Sequence, residues 1–198
     1  MDTLLTNPKG NNNQPHPVIF PLHGNDRYYI YALNALLKNL FIEEPGLEKW
    51  VPDIWVISEV RDIFGCIRKL QENSDSVVIG DEHHYRLLCG IPGIRWVCFI
   101  DASLAVAEMA RCFKSILRRR PCCMRLGEYR QIGVEAFSAR TRKIIGLLLQ
   151  GCPPHDIAHE CGIQAKTVSL YKRSVMQRLN VHSTQELAIK SALMKAQW

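Results

Sequence analysis

No stretch of the 198 residues is apolar for long enough to cross a bilayer. The strongly apolar run at 144–149 is far too short, and Gly146 interrupts it. The first residues, MDTLLTNPKGNNN, lack the basic start and apolar core of a secretory signal, so a cytoplasmic protein is expected. Eight cysteines are present, yet there is no CxxC pair and no His/Cys cluster at zinc spacing. They sit inside apolar runs such as WVCFI, where cysteine serves as a small hydrophobe, and a reducing compartment accounts for them. His83-His84 and the pair His155/His159 are candidate metal ligands, but His155 and His159 have no Cys or carboxylate set at ligand spacing, and surface histidines are the expected reading. No phosphate-cradling glycine loop and no nucleophile–base pair stands out. The expectation is a protein without a metal, a cofactor or a catalytic residue, and not an enzyme.

Acidic residues are scarce in the second half. Residues 1–110 hold nine Lys/Arg against fourteen Asp/Glu, a net −5. Residues 111–136 hold seven against two, and 137–198 nine against three, together +11. An acidic front and a basic back place any polyanion partner at the back. The hydrophobic share of 47% and charged share of 22% are those of a chain that buries a core.

Residues 1–16, rich in Asn, Pro and Gly, read as a disordered tail. From residue 17 short apolar strands alternate with amphipathic helices. Strands are expected at 18–22, 54–57, 77–79 and 94–100. Helices are expected at 26–40, 60–70, 82–88 and 103–117, the last capped by Asp101 or Ser103. Alternation at this spacing gives an α/β domain over 17–117, a parallel sheet covered by helices. Residues 118–136, RRRPCCMRLGEYRQIGVEA, break the pattern and read as a basic linker that includes the adjacent Cys122 and Cys123. Residues 137–198 carry no strand signal. Four helices are expected there, at 139–150, 154–161, 165–179 and 184–196.

The stretch 156–179 carries the functional argument. Ala158 allows two helices to cross closely, and Gly162 supplies the positive φ that a tight turn between them needs. Ile163 and Val168 fill the angle, and Pro154 suits a first helical turn. On the second helix Val168, Val175 and Leu179 fall on one face at helical spacing. Lys166, Ser169, Leu170, Arg173 and Gln177 fall on the other. A leucine amid cations and hydrogen-bonding groups fits a major groove, where thymine methyls await it.

The segment FSARTRKIIGLLLQGCPPHDIAHECGIQAKTVSLYKRSVMQRLNVHSTQEL resembles the DNA-binding domain of the LuxR/FixJ (NarL-type) regulators. The marks are Gly151, Ile157-Ala158, Gly162-Ile163, Lys166-Thr167-Val168 and Leu179-Asn180-Val181. The resemblance implies a four-helix helix-turn-helix domain whose third helix enters the major groove of double-stranded DNA. It implies base contacts from Ser169, Leu170 and Arg173, and phosphate contacts from Lys166, Thr167 and Lys172. It also implies a dimer contact on the last helix, at Leu187, Ser191 and Met194. Two residues depart from the family pattern: Gln164 replaces a Ser-type cap and Ala139 a proline.

The front half is similar to a receiver domain without its chemistry. Leu22-His23-Gly24 stands where an acidic pair would hold magnesium, and Ser58 where the acceptor aspartate would stand. Gly80 replaces the hydroxyl residue and Ile100 the lysine. Residues 40–52 are too few for a full second βα unit. The expected function is a phosphorylation-independent, sequence-specific transcription regulator that binds DNA as a dimer. A regulator gated by a small ligand or second messenger, and an auxiliary heterodimer partner of another LuxR-type protein, are the alternatives.

Overall fold

The computed structural model describes residues 19–44, 51–72, 76–94, 98–118, 133–194 and 198. The expected tail at 1–16, most of the basic linker and the pair Cys122-Cys123 lie outside the described residues.

The front domain runs β1 (Leu22–His23), α1 (Arg27–Glu43), β2 (Asp53–Val56), α2 (Val60–Glu72), β3 (Ser76–Gly80), α3 (Glu82–Leu88), β4 (Cys98–Asp101) and α4 (Val106–Leu117). All neighbouring strands pair in parallel, in the order β1-β2-β3-β4. Strand alternation sends Ile54, Val56, Val77, Ile79, Cys98 and Ile100 to one face, against Leu33, Leu37 and Leu40 of α1 and Phe113 and Ile116 of α4. Trp55, Val78 and Phe99 point to the opposite face, against α2 and α3. Every residue of β3 is buried, as a central parallel strand requires.

Two expectations need correction. The first strand is shorter and later than 18–22, because only Leu22 and His23 find partners, Ile54 and Trp55. Pro21, with no N–H to donate, lies immediately before it. Helix α4 begins at Val106, after an Ala105 N-cap without a side-chain bond. The Asp101 carboxylate is spent on the loop, accepting from the Ser103 N–H at 2.8 Å and its hydroxyl at 2.7 Å.

The three strand–helix–strand crossovers do not share a hand. The strands advance in one direction across the sheet. Helices α2 and α3 cover one face while α1 covers the other. The β1–α1–β2 crossover therefore has the opposite hand to the two that follow, and almost all such units are right-handed. The segment at 40–52 is too short to hold a further strand and helix between α1 and β2.

The back domain opens with a single 3₁₀ turn at Val134–Ala136. It continues with α5 (Ala139–Leu149), α6 (Pro154–Cys161), α7 (Ala165–Arg178) and α8 (Thr184–Leu193). Ser138 caps α5 by accepting the Thr141 N–H at 3.2 Å, so the missing proline at 139 leaves the start secured. Phe137, Ile145, Val175, Leu179, Val181 and Leu187 form one core. Ile144, Ile157, Ala158 and Val168 form a second beneath the α6–α7 corner. Among the described residues no helix is long and apolar enough to cross a membrane.

Candidate nucleic-acid interface

The α6–α7 corner is built as its residues dictate. Pro153 and Pro154 start α6, and Ala158 is buried where the helices meet. Gly162 closes α6 in the left-handed region at φ +60°, and the Ile163 N–H reaches back to the Ala158 carbonyl at 2.9 Å. The Arg140 guanidinium donates to the Cys161 carbonyl at 3.0 Å, tying α5 to the end of α6. An ion pair of 2.9 Å between Lys143 and Glu160 joins the same two helices.

Helix α7 has the two faces expected. Val168 and Val175 are each 1% exposed and Leu179 4%. Lys166, Ser169, Leu170, Arg173 and Gln177 are exposed, Leu170 at 55%. Among the described residues no carboxylate pairs with Lys166 or Arg173, so both cations face outward without a partner of opposite charge. Thr167 is half-buried at the first turn. Lys172 is also half-buried and donates to the Thr184 hydroxyl at 3.2 Å, which links α7 to the start of α8. The Gln164 side chain makes no capping bond, though its carbonyl accepts the Thr167 N–H at 2.8 Å.

Of the residues expected at a dimer contact, Leu187 and Ser191 are buried within the chain itself. Leu187 is fully buried in its own domain's core, and Ser191 is buried with its hydroxyl donating to the Leu187 carbonyl at 2.7 Å. Met194 is half-buried between that core and the front domain. The side of α8 bearing these residues points inward, and its exposed residues are Thr184, Gln185, Ala188 and Ala192.

Sequence reasoning missed a seam between the domains. Glu186 of α8, its side chain 8% exposed, accepts from His83 at 2.9 Å and Arg86 at 3.1 Å, both on α3. It also accepts the His182 N–H at 2.6 Å. Burial pushes the Glu186 carboxyl up, but these hydrogen bonds outweigh it and hold it at about 2. Lys190 donates to the Arg86 and Leu179 carbonyls, each at 2.6 Å, and burial pulls its ammonium down to about 8. Leu193 completes the seam by packing into the α2–α3 side of the front domain. One signal was available. Ser183 and Glu186 stand at capping-box spacing, and the Glu186 N–H does bond the Ser183 hydroxyl.

The comparisons with known proteins bear on the same segment. Residues 135–191 match the model of the luxR family of bacterial regulatory proteins. A comparison with curated protein sequences returns no match. Among solved structures, full-length FixJ from B. japonicum is similar at 16% identity, over 88% of this chain and 95% of that one, with a TM-score of 0.33. The helix-turn-helix corner, the two-faced α7 and the family match coincide over the same residues. Residues 135–191 are a LuxR-family helix-turn-helix domain, and the chain is a DNA-binding transcription regulator.

Proposed function

We propose that the chain binds specific DNA sites as a dimer, without phosphorylation of its front domain. The carrying observation is the α7 stripe, exposed along its length while α8 is seated on α3. With α7 in the major groove, Ser169, Leu170, Arg173 and Gln177 face base edges, while Lys166, Thr167 and Lys172 hold phosphates. No domain separation is needed to uncover that surface.

The ends of the front-domain strands support phosphorylation independence. His23 stacks on Trp55, with ring centres 4.2 Å apart, and bonds Asp53 at 3.1 Å. The Asp62 carboxylate accepts the Ser58 and Glu59 N–H groups at 3.0 Å each and also holds Asn25. A Cβ on Gly80 would lie 3.2 Å from His84 Cβ and 3.3 Å from the Phe99 ring, which leaves little room for a hydroxyl-bearing side chain. Ile100 is buried in the apolar core.

Binding measured on an operator found by selection, and on random duplex, tests the α7 assignments. Arg173→Ala should lose roughly 1–3 kcal/mol on the operator and relax discrimination there. Lys166→Ala should weaken both duplexes alike and reduce the salt slope by about one contact. Equal losses by both variants on both duplexes would overturn the assignment of roles.

A further inference from the structure

Helix α8 is shared by two cores. Leu187 fills the core of the back domain, while Leu193 is buried in one cluster with Ile63, Leu70 and Leu88 of the front domain. Between them Glu186 and Lys190 stand four residues apart, and both are buried, Lys190 at 2% exposure. Burying a charge is costly unless it is well partnered, and each of these two finds partners on both sides of the seam. The Lys190 ammonium donates to the carbonyl of Leu179, the C-cap of α7, and to the carbonyl of Arg86 in the last turn of α3. Glu186 accepts the His182 N–H and the guanidinium of the same Arg86.

The turn between α7 and α8 is therefore gripped at both ends. Leu179 opens it, and His182 directly precedes the Ser183 cap of α8. Asn180 between them sits in the left-handed region at φ +53°, which sets how the chain leaves α7. The last carbonyls of a helix lack intrahelical donors, and a cation at that end is favoured by the helix dipole. One ammonium serves α7 and α3 together. The end of α7 that it holds is also the end that carries Arg173 and Gln177.

We infer that the docked arrangement is the DNA-competent one, with Lys190 and Glu186 as positioning residues through which the front domain holds α7 ready for the groove. The inference rests on the DNA-binding reading of α7 given above. Lys166, Ser169, Leu170, Arg173 and Gln177 are all exposed while the seam is closed, so opening it uncovers none of them. Opening it instead takes Arg86 from both Glu186 and Lys190 and loosens the end of α7. Re-ordering that end then adds an entropic penalty to binding. Contacts to base edges need side chains held within about 0.5 Å. A loosened α7 therefore loses the operator before it loses random duplex, where phosphate contacts dominate. The coupling is positive: whatever tightens the seam strengthens operator binding.

Binding of the full chain to operator and to random duplex, measured well below the melting temperature, tests this with substitutions that lie outside α7. Arg86→Met removes a front-domain guanidinium and leaves the Arg86 carbonyl in place, and Lys190→Met removes the shared ammonium. Each should weaken operator binding about fivefold or more, with a smaller loss on random duplex and an unchanged circular dichroism spectrum. Arg86→Lys keeps a cation for Glu186 and should recover part of the loss. A purely stabilising role would lower the melting temperature and leave these affinities alone. Arg86→Met and Glu186→Gln together should lose little beyond either alone, because both break one contact. If Lys190→Met does not fold, that pair decides by itself. Operator affinity unchanged or raised in Arg86→Met overturns the inference and leaves the DNA-binding reading intact. A parent chain that selects no operator overturns both.

Discussion

Leu187 owes its role to the side of α8 on which it lies. Family resemblance makes it a dimer contact, but the packing makes it a core residue, fully buried among Phe137, Ile145, Val175, Leu179 and Val181. Leu187→Ala should therefore cost about 2–5 kcal/mol in denaturant unfolding, the range for a truncated core leucine. A cost under about 0.5 kcal/mol, the level of an exposed position, would show that the side chain is not packed as described. A sequence pattern reports that an apolar residue lies on a face, but not which neighbour covers that face. Gly162 was legible for the opposite reason. A turn between two closely packed helices demands the left-handed region, and glycine meets that demand locally.

At the scale of elements, the helices with clear ends were the legible ones. Residues 82–88 and 154–161 match α3 and α6 to the residue, since Asp81 caps one and Pro154 and Gly162 bracket the other. Helix α1 runs past its expected end to Glu43, because Phe41 and Ile42 continue the helix with no glycine or proline to stop it. The seam between α3 and α8 was illegible, because Arg86 and Glu186 are a hundred residues apart in sequence and each alone reads as a solvated charge. It makes a pH prediction. Glu186 is held at about 2, below its ordinary 4.5, so its contribution is complete above 4.5 and fades as pH falls toward 2. Lys190 has the opposite sense. Burying its ammonium is a cost fully present below about 8 and relieved as pH rises from there toward 10.5. Glu186 is the carboxylate that His83 and Arg86 share across the seam, so Glu186→Gln isolates the acid limb. The melting temperature of the parent should exceed that of Glu186→Gln at neutral pH and converge on it as pH falls from 4.5 toward 2. A difference unchanged over that range would show that the carboxylate does not stabilise the seam.

For the whole molecule, the division into an acidic α/β front and a basic helical back was readable from charge and periodicity alone. That residues 40–52 are too few for a further βα unit was readable from chain length, but the hand of the first crossover was not, because it is set by which face α1 chooses. Phosphorylation independence is a property of the full chain and is tested there. Acetyl phosphate or beryllium fluoride should leave operator affinity and sedimentation unchanged, and one equivalent of acid-labile phosphate on the protein would overturn that reading. The odd hand of the first crossover also bears on the order in which the chain folds. Strands β2, β3 and β4 are joined by two short crossovers of one hand and pair along four residues at each junction. Strand β1 offers two pairs and is joined by a long helix passing over the other face. Residues 22–43 thus gain little until the other three strands exist. As the chain leaves the ribosome, this early segment waits for the middle of the sheet, and α1 closes the front domain last.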